Sequence, residues 1–116
     1  MSRTNVEGAR ISNTLYDQGF KLGVTRVSDA NQTISLANGP VISITPTASR
    51  TFTLPAVTPD MRGLVFYIVN GAAFTVVVQN SSAATVATVP ATVGATGMFV
   101  CLGDTTLGVG GWSGGL

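Results

Sequence analysis

The sequence predicts an all-β protein: an antiparallel β-sandwich or jelly-roll-like body over residues 31–116, preceded by an extended N-terminal arm over residues 1–30. Three observations lead there. Short runs rich in Val, Ile, Thr and Phe recur at about the eight-to-twelve-residue spacing of a sandwich, bounded by turn formers. No stretch sustains the 3.6-residue apolar period of an amphipathic helix. The charges also segregate, with Arg3, Glu7, Arg10, Asp17, Lys21, Arg26 and Asp29 before Asn31 and Asp104 alone after Gly63.

The arm comes first. Gly8, Gly19 and Gly23 punctuate it, and a chain so interrupted reads as extended, with short strands. Ile11, Leu15, Tyr16, Phe20, Leu22 and Val24 are too apolar for a tail meant to stay in water. Arg3, Arg10, Lys21 and Arg26 give it a positive excess over Glu7, Asp17 and Asp29. An extended basic and apolar segment suits the groove or sheet edge of a partner protein, so Arg3, Arg10, Ile11, Leu15, Tyr16 and Phe20 are the candidate contacts.

In the body, strands are expected at residues 33–37, 41–45, 51–54, 64–70, 74–79, 85–89, 98–102 and 109–113. Turns fall at Asn38-Gly39-Pro40, Thr58-Pro59-Asp60, Gly71-Ala72-Ala73, Asn80-Ser81-Ser82 and Gly103-Asp104. Pro55, Pro59 and Pro90 stand at strand ends, where a missing N–H does least harm. Nothing between strands is long enough for a crossover helix, which points to antiparallel pairing.

Side-chain alternation then raises a question of burial. Along Leu64-Val65-Phe66-Tyr67-Ile68-Val69 both faces are apolar, and the same holds for residues 74–78 and 98–102. An antiparallel sheet facing water alternates with polar residues. The second face therefore calls for another subunit, with Val65, Tyr67, Val69, Val77 and Phe99 as candidate interface residues and a cyclic homo-oligomer as the closed solution.

Composition bounds the rest. A chain of 116 residues is one domain, burying roughly two-thirds of its unfolded surface. Charged residues are only 9%, while mean hydropathy is +0.42, the reverse of a disordered chain. A net charge of +1 offers no footprint for nucleic acid. Apolar runs are broken within about seven residues, far short of the ~20 that span a membrane. The opening MSRTNVEGARISN has no signal-type apolar core, and the single Cys101 permits no intrachain disulfide, so the chain is expected to fold in a reducing cytoplasm.

Catalytic chemistry is thinly supplied. There is no histidine, and Glu7, Asp17, Asp29, Asp60 and Asp104 are dispersed without metal-loop or paired-carboxylate spacing. Cys101 lies in an apolar run, where a thiol packs rather than attacks. Gly108-Val109-Gly110-Gly111-Trp112 lacks the Lys-Ser/Thr of a phosphate cradle and reads as a flexible terminal strand with Trp112 as anchor, or alternatively as an exposed ring for a sugar or protein. No cofactor, metal or enzymatic activity is expected.

Thr51-Phe52-Thr53-Leu54-Pro55, then Arg62-Gly63-Leu64-Val65-Phe66-Tyr67-Ile68-Val69-Asn70, Phe74-Thr75-Val76-Val77-Val78 and the closing Gly94-Ala95-Thr96-Gly97-Met98-Phe99-Val100-Cys101-Leu102-Gly103-Asp104 with the late Trp112 form a recurring pattern. Over roughly residues 31–113 the chain resembles the capsid decoration, or cement, proteins of tailed bacteriophages, and related head-fibre and tail-fibre β modules. That resemblance implies a homotrimer on the capsid exterior of the virion, made in the host cytoplasm, clamping major capsid protein subunits with the arm supplying much of the contact. It also leaves a receptor-binding or fibre-tip module, recognising a host surface glycan or protein, as the alternative.

Overall fold

A computed structural model describes residues 21–115 of the chain. The arm candidates Arg3, Arg10, Ile11, Leu15, Tyr16 and Phe20 lie outside the described residues.

Nine strands build two sheets: β1 (Val24–Arg26), β2 (Gln32–Thr33), β3 (Val41–Ile44), β4 (Arg50–Thr53), β5 (Val65–Asn70), β6 (Val76–Gln79), β7 (Thr85–Val89), β8 (Ala95–Cys101) and β9 (Trp112–Gly115). One sheet runs β1-β3-β5-β8-β9 and the other β2-β4-β6-β7. The all-β, two-sheet architecture agrees with the expectation. The pairing does not, because β1, β3 and β5 are mutually parallel, as are β2, β4 and β6. Antiparallel pairing is confined to β5 with β8, β6 with β7, and β8 with β9.

The reason is the path of the chain. From β1 to β6 it alternates between sheets at every step, so each crossover between parallel neighbours is made by a strand of the opposite sheet. A parallel pair needs a long crossover, and a helix is only the commonest way to supply one. The first six strands are thus three turns of a flattened coil, closed by the β6–β7 hairpin and then by β8 and β9. β1 belongs to this coil, so part of the segment expected as an arm contributes to the sandwich.

Local chemistry explains several boundaries. The strand expected over residues 33–37 ends early because Ser35 N–H donates to Asn38 Oδ1 at 2.7 Å while Asn38 N–H donates to Ser35 O at 3.1 Å, closing a turn. Pro59–Met61 forms one 3-10 turn with proline in its first turn. At the β6–β7 hairpin Asn80 Oδ1 accepts from the backbone of Ser82 and Ala84, replacing bonds that the loop cannot make.

The core lies between the sheets. Inward residues of β3, β5 and β8 (Ile42, Ile44, Phe66, Ile68, Phe99, Cys101) meet Phe52, Val76, Val78 and Val89 of the other sheet, all essentially water-free. Trp112 is fully buried, packs at a 36° tilt against Phe66 with ring centroids 6.0 Å apart, and donates its indole N–H to Pro55 O at 3.1 Å. The glycine-rich end is therefore a seated edge strand. Phe99 sits opposite Gly114, and a Cβ there would come within 2.3 Å of its ring, so only glycine leaves the phenyl room.

Candidate interaction surface

The two outer faces of the sandwich differ in chemistry. On the four-stranded sheet, paired outward positions read Thr51–Val77–Thr88 and, one pleat along, Thr33–Thr53–Gln79–Thr85. Gln79 Nε2 donates to Thr53 Oγ1 at 2.9 Å, and hydroxyls cover most of the rest. This is the ordinary apolar-in, polar-out alternation of a sheet that faces water.

The five-stranded sheet breaks that rule. Its alternation in β5 places Phe66, Ile68 and Asn70 inside and Val65, Tyr67 and Val69 outside, half-buried. Register carries the outward row across the sheet as Val24–Val41–Tyr67–Met98, with Gly115 at the far edge. Flanking it, Val65 pairs with Val100, which in turn pairs with Ser113, and Val69 pairs with Ser43 and Thr96. Val24 is 61% exposed and Met98 46%. At the edge, Met98, Val100, Ser113, Gly114 and Gly115 border a shallow apolar hollow. The outcome is a row of large apolar side chains four strands wide.

The candidate interface residues therefore separate. Val65, Tyr67 and Val69 share the apolar face. Val77 lies on the opposite side of the molecule, between two threonines. Phe99 is fully buried in the chain's own core and offers no surface to a partner, a correction of one residue in the parity of β8. Both faces of residues 98–102 are apolar, so alternation alone could not assign that parity. Val24, Val41, Met98 and Val100 join the face in its place. For the two on β8 the sequence signal was the glycine at 114, which makes room for the inward Phe99.

Trp112 contributes no exposed ring, so its reading as a sugar or protein contact falls. Cys101 is buried in the core. Among the described residues no group of three His, Cys, Asp or Glu could hold a metal ion, and no helix is long and apolar enough to cross a membrane.

The three described carboxylates serve local structure. Asp29 accepts from Arg50 Nε at 2.8 Å, Thr47 N–H at 3.1 Å and the Thr47 hydroxyl, tying the β1–β2 loop to β4 and the loop before it. The Arg50 bond chiefly, then those from Thr47, lowers its pKa from 3.8 to about 2. Asp60 and Asp104 are lowered too, first by the hydroxyls of Thr58 and Thr106. Groups so held remain ionised at neutral pH, the wrong state for a general acid and a weak one for a base.

A scan of protein-family models finds no match to the chain, and searches of curated proteins and of solved structures find none either.

Proposed function

We propose that this chain is a non-enzymatic structural protein of a tailed-bacteriophage virion, which self-associates as a homotrimer on the capsid exterior and stabilises contacts between major capsid protein subunits. The observation that carries this reading is the contrast between the two outer faces, one apolar along Val24, Val41, Tyr67 and Met98 and the other covered by threonines. A side chain of Val size taken out of water contributes about 1.5–3 kcal/mol, so three or four per subunit provide a useful association energy. Copies that turn this face toward a shared axis bury it and leave the threonine face outward, a closed cyclic arrangement.

The virion assignment draws on the resemblance of residues 31–113 to decoration proteins, and the arm residues Arg3, Arg10, Ile11, Leu15, Tyr16 and Phe20 are the contacts to the capsid in this scheme. Burial of Trp112 favours it over a glycan-binding fibre tip, which needs exposed rings on which a sugar can stack.

The test is native mass followed by co-sedimentation with shells that lack the protein. A trimer that pellets with shells is expected, along with loss of pelleting when residues 1–20 are removed. A monomer that remains in the supernatant overturns the reading.

A further inference from the structure

The sequence contains two Asn-Gly dipeptides, Asn38-Gly39 and Asn70-Gly71, which the fold places in opposite chemical circumstances. An asparagine before glycine is the pair most open to intramolecular attack, because the following backbone nitrogen meets no Cβ on its way to the side-chain carbonyl. We propose that Asn38 is a site of spontaneous deamidation and that Asn70 is protected from it. The lability itself does not depend on the virion role.

The chemistry balances without any bound reagent. The Gly39 amide nitrogen, having lost its proton to solvent base, bonds to Cγ of Asn38, and the Cγ–Nδ2 bond breaks to release ammonia. Water then opens the cyclic imide at either carbonyl, leaving aspartate or isoaspartate at position 38.

At Asn38 the geometry favours the first step. Ser35 N–H donates to Oδ1 at 2.7 Å, which draws electron density from Cγ and leaves Nδ2, the leaving group, without a protein partner among the described residues. The residue is half-buried in a turn whose other members, Leu36 and Ala37, are exposed, so water reaches it. Among the described residues the Gly39 N–H is held by a hydroxyl alone, Thr25 Oγ1 at 2.8 Å.

Asn70 shares an N–H bond to Oδ1, from Ala72 at 3.1 Å, but is the reverse in its burial, its leaving group and its nucleophile. It is fully buried, its Nδ2 donates to both Phe74 O and Pro90 O, and the Gly71 nitrogen is committed to Ile44 O at 2.8 Å.

The fold itself enforces the labile pair. A Cβ at position 39 would lie 2.7 Å from Gly23 O, so glycine is required there, while the turn uses the Asn38 side chain to satisfy Ser35 N–H. Conversion has a structural consequence as well. Isoaspartate adds a backbone atom before Gly39, displacing it from Thr25 and disturbing the neighbouring Val41 N–H bond to Gly23 O. Both contacts hold β1, a strand of three residues that carries Val24 at the edge of the apolar face.

The experiment incubates the full folded chain at neutral and mildly alkaline pH, then quantifies aspartate and isoaspartate at both positions by peptide mapping. Conversion at 38 should run many-fold ahead of 70 and accelerate with pH, since the nucleophile is the amide anion. In denaturant the two sites should approach one rate. Asn38→Gln, whose longer side chain closes a ring poorly, should remove the acidic species. Equal rates in the folded chain, or an acidic species that persists in Asn38→Gln, would overturn the proposal. In converted chains amide exchange at Val41 should quicken, and unchanged exchange there would remove the claimed effect on β1.

Discussion

Asn70 shows how much a single polar side chain can hold. It ends β5 fully buried, its Nδ2 donating to Phe74 O at 2.6 Å and Pro90 O at 2.9 Å, while Oδ1 accepts from Ala72 N–H at 3.1 Å. One amide thus closes the β5–β6 turn and pins the β7–β8 connection to it. Truncation to alanine leaves two carbonyls and one N–H unpaired in a part-buried turn, where each orphaned group costs toward the lower end of about 1–3 kcal/mol. Asn70→Ala should therefore lose about 3 kcal/mol or more in urea unfolding, with an unchanged slope, and a loss below about 1 kcal/mol would show that water replaces the amide. In the sequence this residue was visible only as the polar stop at the end of an apolar run. Its three partners come from residues up to twenty positions away, and nothing local announces them.

At the scale of elements, the coil of parallel strands depends on how one turn is tied to the next. The Asp29–Arg50 pair is such a tie, joining the loop after β1 to the first residue of β4, with side chains 31% and 24% exposed. Asp29 is lowered from 3.8 to about 2, so the folded state binds its proton less readily than the unfolded chain. The stability it contributes is fully present above the unfolded pKa and is lost as pH falls through about 4 toward about 2. Asp29→Asn should remove that part of the acid sensitivity. Measured as urea midpoints between about pH 5 and about pH 2, the difference between wild type and variant should shrink as the pH falls. Added salt should shrink it too, because the pair is partly exposed. A difference constant across the window would mean that the carboxylate charge contributes nothing. Strand positions were legible at this scale, since apolar alternation marks β3 to β8 within a few residues. Strand direction was not. A period of two is the same in parallel and antiparallel pairs, and the usual sign of parallel pairing, an intervening helix, is replaced here by a strand of the facing sheet.

For the whole molecule the decisive property is that its two outer faces obey different rules. Two-faced apolar strands were legible in the sequence, but the face they form was only partly so. Residues 74–78 looked equally two-faced, yet register sets Val77 between Thr51 and Thr88 and leaves that side polar. The contrast supplies an internal control for self-association. Val100→Lys places an ammonium among Val65, Met98 and the hollow beside Ser113, where association would have to desolvate it. Val77→Lys adds the same charge on the threonine side, where a long side chain reaches water freely. Both positions point out of the core, so both variants should keep the fold, with melting temperatures close to wild type. Native mass should then separate them, with Val100→Lys monomeric and Val77→Lys assembled like the parent. If both dissociate, net charge rather than a face governs association. If neither does, the apolar row on the five-stranded sheet is not the contact, and its side chains must tolerate water as they stand.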